Sequence, residues 1–262
     1  MPPPLRPRHA LVLGALHGPT ELLPVSSSAH TTLVPWLLGW PYTELDPEVR
    51  KAFEVALHAG TAAALLVGLR DEIAIDRSSA LLAAGSVVPP AVVGYVLERP
   101  IQRRLGTPAT IAVGLLLGSV VLVAADRFGA TGRRREEAGL GDAFALGVGQ
   151  ACALVPGTSR SGMTLAAARL RGFDRVEAGA LSRRVALPVI VGATALKGVR
   201  LARRGVPGTM MWAFAAGMGA AFASTLVSVR VVRTVDAFTP YAVYRALLAG
   251  AVLRRAWQTR SR

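Results

Sequence analysis

Cysteine is almost absent. Cys152 is the only one in 262 residues, so no intramolecular disulfide can form, and the residue says little about redox compartment. Lysine is nearly as scarce, with two residues against 28 arginines, a bias that reflects base composition more than chemistry. Acidic residues number 16 against 30 basic ones, which leaves a net charge of +14. That excess suits nucleic acid, anionic lipid headgroups or a phosphorylated ligand. Aromatic residues make up only 6% of the chain, so its 52% hydrophobic content is mainly aliphatic. A cleavable signal is also missing, because MPPPLRPRH leads into only seven apolar residues before Gly18-Pro19.

What the chain does have is long apolar runs, and its mean hydropathy is +0.43. Residues 52–69, 78–97 and 107–125 are 18 to 20 residues long with at most one charge each. Residues 208–229 and 238–253 look alike, and 176–196 fits apart from Arg183-Arg184. About 20 residues cross the ~30 Å of a bilayer's hydrocarbon at about 1.5 Å per residue. Six such runs cannot be hidden in one small soluble core, so a soluble bundle is excluded, and a nucleic-acid binder with it. The positive charge then belongs to loops facing headgroups or to a phosphorylated substrate.

The chain also repeats itself. Shifted by 132 residues, PVSSSAHTTL (24–33) lies over PGTSRSGMTL (156–165), and PATIAVGLLLGSV (108–120) over PYAVYRALLAGAV (240–252). Each half holds three full spans, and an odd number makes the second half enter from the opposite face. The expectation is one integral membrane domain over residues 1–262, all α-helical, built as an inverted-topology repeat (about 10–125 and about 142–257). Residues 10–38 and 142–170 are each a short apolar arm, a Pro- and Ser-rich turn and another short arm. Neither arm is long enough to span, so six transmembrane helices plus two re-entrant helical hairpins are expected. Broken backbone at membrane depth must face protein or a wet cavity, which places the two polar turns opposite each other.

The turns carry the chemistry. In PGTSRSG (156–162), Gly157 and Gly162 permit a tight turn, while Thr158, Ser159 and Ser161 can cap the helix that follows. A helix N-terminus with hydroxyls and Arg160 is an anion site suited to phosphate. An arginine in a membrane hairpin is costly, and its alternative role is a structural ion pair. The first turn supplies Glu21, Ser26, Ser27, Ser28 and His30, with His17 one helical turn before Glu21 on the same face. Glu21 is suited to hold a divalent metal or to act as a base. Ser27 with His30 offers a nucleophile and a base. Glu54 and His58 extend this cavity or pair with Arg50 and headgroups. Arg183 and Arg184 form a second phosphate clamp or mark a helix that begins near Val185. Arg245, beside Tyr244, braces the fold or reaches the cavity.

These residues resemble a known family, the undecaprenyl-pyrophosphate phosphatases, or bacitracin-resistance membrane phosphatases. The family's first signature, roughly Glu/Gln-Gly-x-x-Glu-x-x-Pro-x-Ser-Ser-x-Gly-His, is similar to HGPTELLPVSSSAH (17–30). The second, Pro-Gly-x-Ser-Arg-Ser-x-x-Thr, is matched in full by PGTSRSGMT (156–164). The resemblance runs from about residue 10 to 255. It implies hydrolysis of a C55 polyprenyl diphosphate to the monophosphate, recycling the lipid carrier of cell-wall synthesis at the bacterial plasma membrane and conferring bacitracin resistance. It implies Glu21 as metal or base residue, Ser27 as nucleophile with His30, and Arg160 with Ser159, Ser161 and Thr164 on the pyrophosphate, beside Ser26 and Gly157. It also implies a divalent cation, Mg2+ or Ca2+. Two positions depart: His17 stands in place of Glu or Gln, and Ala29 in place of Gly. A His17–Glu21 pair still binds divalent ions but favours softer ones, and His17 is itself a candidate base.

Two other functions fit the same features. A polyprenyl-phosphate transporter or flippase would use Arg160 and the hydroxyls without hydrolysis, but would not need Ser27, His30 and Glu21. A non-catalytic lipid-binding paralogue is made thinkable by His17. The expected partners are the polyprenyl diphosphate and membrane lipids, a homodimer is allowed, and nucleic acid is excluded. The loop charges weakly favour cytoplasmic termini.

Overall fold

The computed structural model describes residues 5–70, 77–129, 132–204, 208–231 and 237–260. The loop charges behind the orientation of the termini fall partly outside these ranges. Among the described residues the chain is all helical, with one isolated bridge between Arg133 and Phe173. Ten α-helices follow in order: α1 (Pro7–Leu22), α2 (Ser27–Leu37), α3 (Pro47–Gly68), α4 (Arg77–Leu105) and α5 (Pro108–Phe128), then α6 (Leu140–Cys152), α7 (Arg160–Leu170), α8 (Arg175–Arg204), α9 (Met211–Val231) and α10 (Thr239–Arg260).

Local chemistry sets the starts. Asp46 caps α3 by accepting from the N–H groups of Glu48 and Val49, with Pro47 at the first helical position. Thr107 and Thr110 form a capping box ahead of α5, again with a proline first. Asp174 accepts from the Glu177 N–H at the start of α8. That cap settles one open point. The helix begins at Arg175 and runs unbroken through Arg183-Arg184, so it does not start near Val185.

Among the described residues, four helices are long and apolar enough to cross a membrane: Ser79–Leu97, Pro108–Phe128, Arg175–Val199 and Gly208–Val231. The protein is therefore a multi-pass membrane protein. Helices α3 and α10 have the length, 22 residues each, but not the composition. The first carries Arg50, Lys51 and Glu54, and the second Arg245, Arg254 and Arg255. Arms α1, α2, α6 and α7 hold 16, 11, 13 and 11 residues, short of the ~20 a span requires.

The hairpin arms pack crosswise. Arm α1 lies along α9, near the end of the chain, and α6 lies along α4, in the first part. Helix α5 packs on α10 and on α7. Close approach depends on missing side chains: a Cβ on Gly14 of α1 would sit 2.3 Å from the Gly217 carbonyl of α9. A Cβ on Gly114 of α5 would sit 2.1 Å from the Pro156 carbonyl, so α5 can cradle the second turn only because it is bare there. Buried Leu82, Leu146, Leu165, Phe173 and Leu181 fill the core around α6 and α7. Leu13, Phe53, Leu57 and Phe214 do the same around α1. Asp142 of α6 accepts from Arg133, Arg171 and the Gly139 N–H, stapling the loop before α6 to the end of α7.

Candidate active site

The two turns share one geometry. Ser26 and Ser159 are the only non-glycine residues with positive φ among those described, at 75° and 74°. Such backbone is strained for a side-chain-bearing residue and concentrates at functional sites. Each serine caps the next helix, Ser26 Oγ accepting from the Ala29 N–H and Ser159 Oγ from the Gly162 N–H. Each also lies against the serine two residues on, at 3.3 Å (Ser28) and 3.2 Å (Ser161). Thr31 and Thr164 then donate back to the Ser28 and Ser161 carbonyls. This pattern pairs Ser26 with Ser159, a shift of 133 rather than the 132 given by residue identities. Ser27 and Arg160 therefore hold equivalent places, each the first residue of its helix.

Both reach Glu21, which is 6% exposed. Ser27 Oγ donates to Glu21 Oε2 at 2.5 Å. Arg160 Nε and Nη2 donate to Glu21 Oε1 at 3.3 and 3.2 Å. Ser161 Oγ donates to the Leu23 carbonyl at 2.9 Å, a second tie between the turns. Arg160 Nη1 is buried with no partner among the described residues, so the guanidinium keeps a donor in hand. Arg160 and Ser161 also line a small cavity with Ser182 and Arg183, walled by aliphatic side chains such as Leu22 and Leu65. Hydroxyls, two arginines and leucines thus line one cavity, the mix of groups that a phosphate bearing an apolar tail calls for.

Other expected residues fall elsewhere. His30 is 2% exposed and does not meet Ser27. Its Nδ1 bonds the Ser26 carbonyl at 2.7 Å and its Nε2 the Tyr244 hydroxyl at 2.6 Å. The proton acceptor in contact with Ser27 is thus Glu21. Thr164 is fully buried and bonds Ser182 Oγ and the Arg160 carbonyl, so it holds α7 in place instead of facing the cavity. Gly157 (φ 97°) presents its carbonyl to Arg245. That arginine, 0% exposed, donates to the carbonyls of Pro24, Gly157 and Thr158 and so braces both turns.

A metal-type cluster adjoins the carboxylate. Ligand atoms of His17, Glu21 and His58 all lie within 4.8 Å of one another. His17 was legible from its spacing to Glu21. The sequence leaves the role of His58 open, its only signal being the Glu54–His58 spacing, and Tyr244 carries none beyond its place before Arg245.

Relatives of known family align along most of this sequence. The profile of the family described as bacitracin resistance protein BacA matches residues 10–251. A protein of Geobacter sulfurreducens named undecaprenyl-diphosphatase is 40% identical, over 94% of this chain and 96% of its own. Namesakes from Geobacter metallireducens and Pelobacter propionicus are 39% and 38% identical, each over 94% of this chain and over 97% and 95% of their own. With its two turns meeting at one buried carboxylate and a profile match along most of its length, the chain belongs to the bacitracin resistance protein BacA family.

Proposed function

We propose that this protein removes the terminal phosphate of undecaprenyl diphosphate, returning the monophosphate carrier to cell-wall synthesis and thereby conferring bacitracin resistance. The observation that carries the proposal is the convergence of Ser27 and Arg160 on Glu21, from turns more than 130 residues apart. Phosphoryl transfer needs an aligned nucleophile and charge neutralisation more than elaborate covalent chemistry. Ser27 Oγ attacks the terminal phosphorus, and its proton passes to Glu21 Oε2. The bond from that phosphorus to the bridging oxygen breaks, and the polyprenyl phosphate leaves with the electron pair. Glu21 passes that proton to the departing polyprenyl phosphate and, ionised again, takes a proton from the water that attacks the phosphoserine. The bond from phosphorus to Ser27 Oγ breaks, Oγ recovers its proton from Glu21, and inorganic phosphate is released. Arg160, freed from Glu21 by the substrate, binds phosphate oxygens with the N-termini of α2 and α7. Ser26, Ser159, Ser161, Thr164 and Gly157 shape the two turns around the diphosphate, and His30 positions Ser26 through its carbonyl.

The same proposal includes six membrane helices, α3 and α10 among them, and two re-entrant hairpins, α1–α2 and α6–α7, related as an inverted repeat. Matching caps in the two turns and the crosswise packing of α1 and α6 support it. A divalent cation held by Glu21 and His17 would neutralise diphosphate charge. Phosphate release from undecaprenyl diphosphate by the detergent-solubilised protein tests the activity. Release that ends in Arg160→Ala supports it, and no release by folded protein across several divalent ions overturns it.

A further inference from the structure

We propose that His58 joins His17 and Glu21 in a two-nitrogen, one-oxygen site that takes a borderline divalent ion of the zinc class in preference to Mg2+ or Ca2+. Hydrogen bonding assigns the protons. Thr225 donates its hydroxyl to the Ala221 carbonyl at 2.6 Å, so towards Thr61, 3.1 Å away, it can only accept. Thr61 spends its proton there, and at 3.0 Å it accepts from Nδ1 of His17. The Nε2 of His17 is therefore a bare lone pair. That atom is buried, with no partner among the described residues, in a side chain that is 1% exposed.

His58 is built the same way. Its Nδ1 donates to the Glu54 carbonyl at 2.8 Å, leaving Nε2 bare and 3.9 Å from Glu21 Oε2. The two imidazoles stand edge to face, 4.6 Å apart. An unpaired acceptor in a dry interior is unfavourable, as at His17 Nε2, and the partly exposed His58 brings a second bare nitrogen to the same carboxylate. Imidazoles fixed by an Nδ1–H bond, with Nε2 turned inward, are how histidines are held for metal ligation. A 3.9 Å nitrogen–oxygen separation suits ligands each about 2.0 to 2.2 Å from a shared ion. Magnesium and calcium take oxygen donors, whereas two nitrogens and a carboxylate leaving open positions suit zinc or cobalt. The ion would meet Oε2, while Arg160 keeps Oε1. For the ion's purpose the inference rests on the phosphatase proposal; for its binding it does not.

The test is Co2+ binding to tag-free, chelator-stripped, full-length protein in detergent, read from the visible absorption of the bound ion. One ion is expected, displaced by Zn2+ and unmoved by millimolar Mg2+ or Ca2+. His17→Ala and His58→Ala should each weaken it about tenfold or more, and Thr61→Val, which removes only the hydroxyl that sets the His17 tautomer, about 10- to 100-fold. His58→Gln, which retains much of the side-chain volume, and a metal-free melting curve for each variant separate lost ligation from lost folding. Displacement by Mg2+ or Ca2+ at concentrations equal to Co2+ overturns the proposal, as does unchanged Co2+ binding in His58→Ala. Protein that binds Co2+ as expected yet releases no phosphate upholds this site and defeats the phosphatase assignment. Phosphate release with no Co2+ binding does the reverse.

Discussion

Ser27 and Arg160 begin their helices at equivalent places in the two turns, and each holds a different oxygen of the Glu21 carboxylate. One turn thus presents the hydroxyl and the other the cation, with the carboxylate between them. A serine and an arginine at matched positions allow an otherwise symmetric pair of turns to act asymmetrically on a diphosphate.

If Ser27 and Glu21 act as one unit, their losses will not add. Ser27→Ala and Glu21→Gln should each lower kcat by about 100-fold or more, and the double variant should fall little further. Single-turnover phosphate release from all three variants measures this. Multiplicative losses would mean that the two residues act in separate steps.

Arg160 offers a planar fork that a lysine cannot reproduce. Arg160→Lys should keep the fold and lose on the order of 100-fold or more in kcat/KM, as for a transition-state donor. A detergent melting curve beside the kinetics distinguishes this from unfolding.

Arg245 is buried against three carbonyls from both turns. Arg245→Ala strips those acceptors of their partner and should destabilise the protein by on the order of 3 kcal/mol. Arg245→Lys should rescue little, because one ammonium cannot reproduce the fork that reaches both turns. Chemical denaturation in detergent reads both.

Arg183 shares the cavity with Arg160 and should act as a clamp on the inner, lipid-linked phosphate. Arg183→Gln is expected to raise KM several-fold with kcat nearly unchanged, since a uniform binding contact is lost. An equal fall in kcat and kcat/KM would place the residue at the reacting phosphorus instead.

Asp142 supplies a pH-dependent anchor at the surface end of the second hairpin. Burial alone would raise its pKa, but hydrogen bonds from Arg133, Gly139 and Arg171 hold it down to about 2. A value lowered in the folded state gives stability that is fully present above the ordinary carboxylate range near ~4 and is lost as pH falls through about 2. Wild-type melting temperature should therefore drop between those values more than that of Asp142→Asn, whose stability at neutral pH is already reduced.

The hydrophobic runs and short Pro- and Ser-rich arms are enough, by length alone, to determine a helical membrane protein with two broken hairpins. They likewise determine that Arg160 and Glu21, costly in lipid, must face one another or a cavity. Helix starts at Asp46-Pro47 and Thr107-Pro108 are local too, since a cap depends on neighbours within three residues. The tertiary structure decided the rest. Residue identities align the turns at 132, but the backbone aligns them at 133, because positive φ at Ser26 and Ser159 is a property of the folded turn. His30 turning to Tyr244, Ser27 turning to Glu21, and His58 meeting His17 depend on how helices are rotated and offset against each other. Periodicity shows which face of a helix is buried and not what covers it, so the contacts of His58 with His17 and of His30 with Tyr244, made across 41 and 214 residues, cannot be read from spacing.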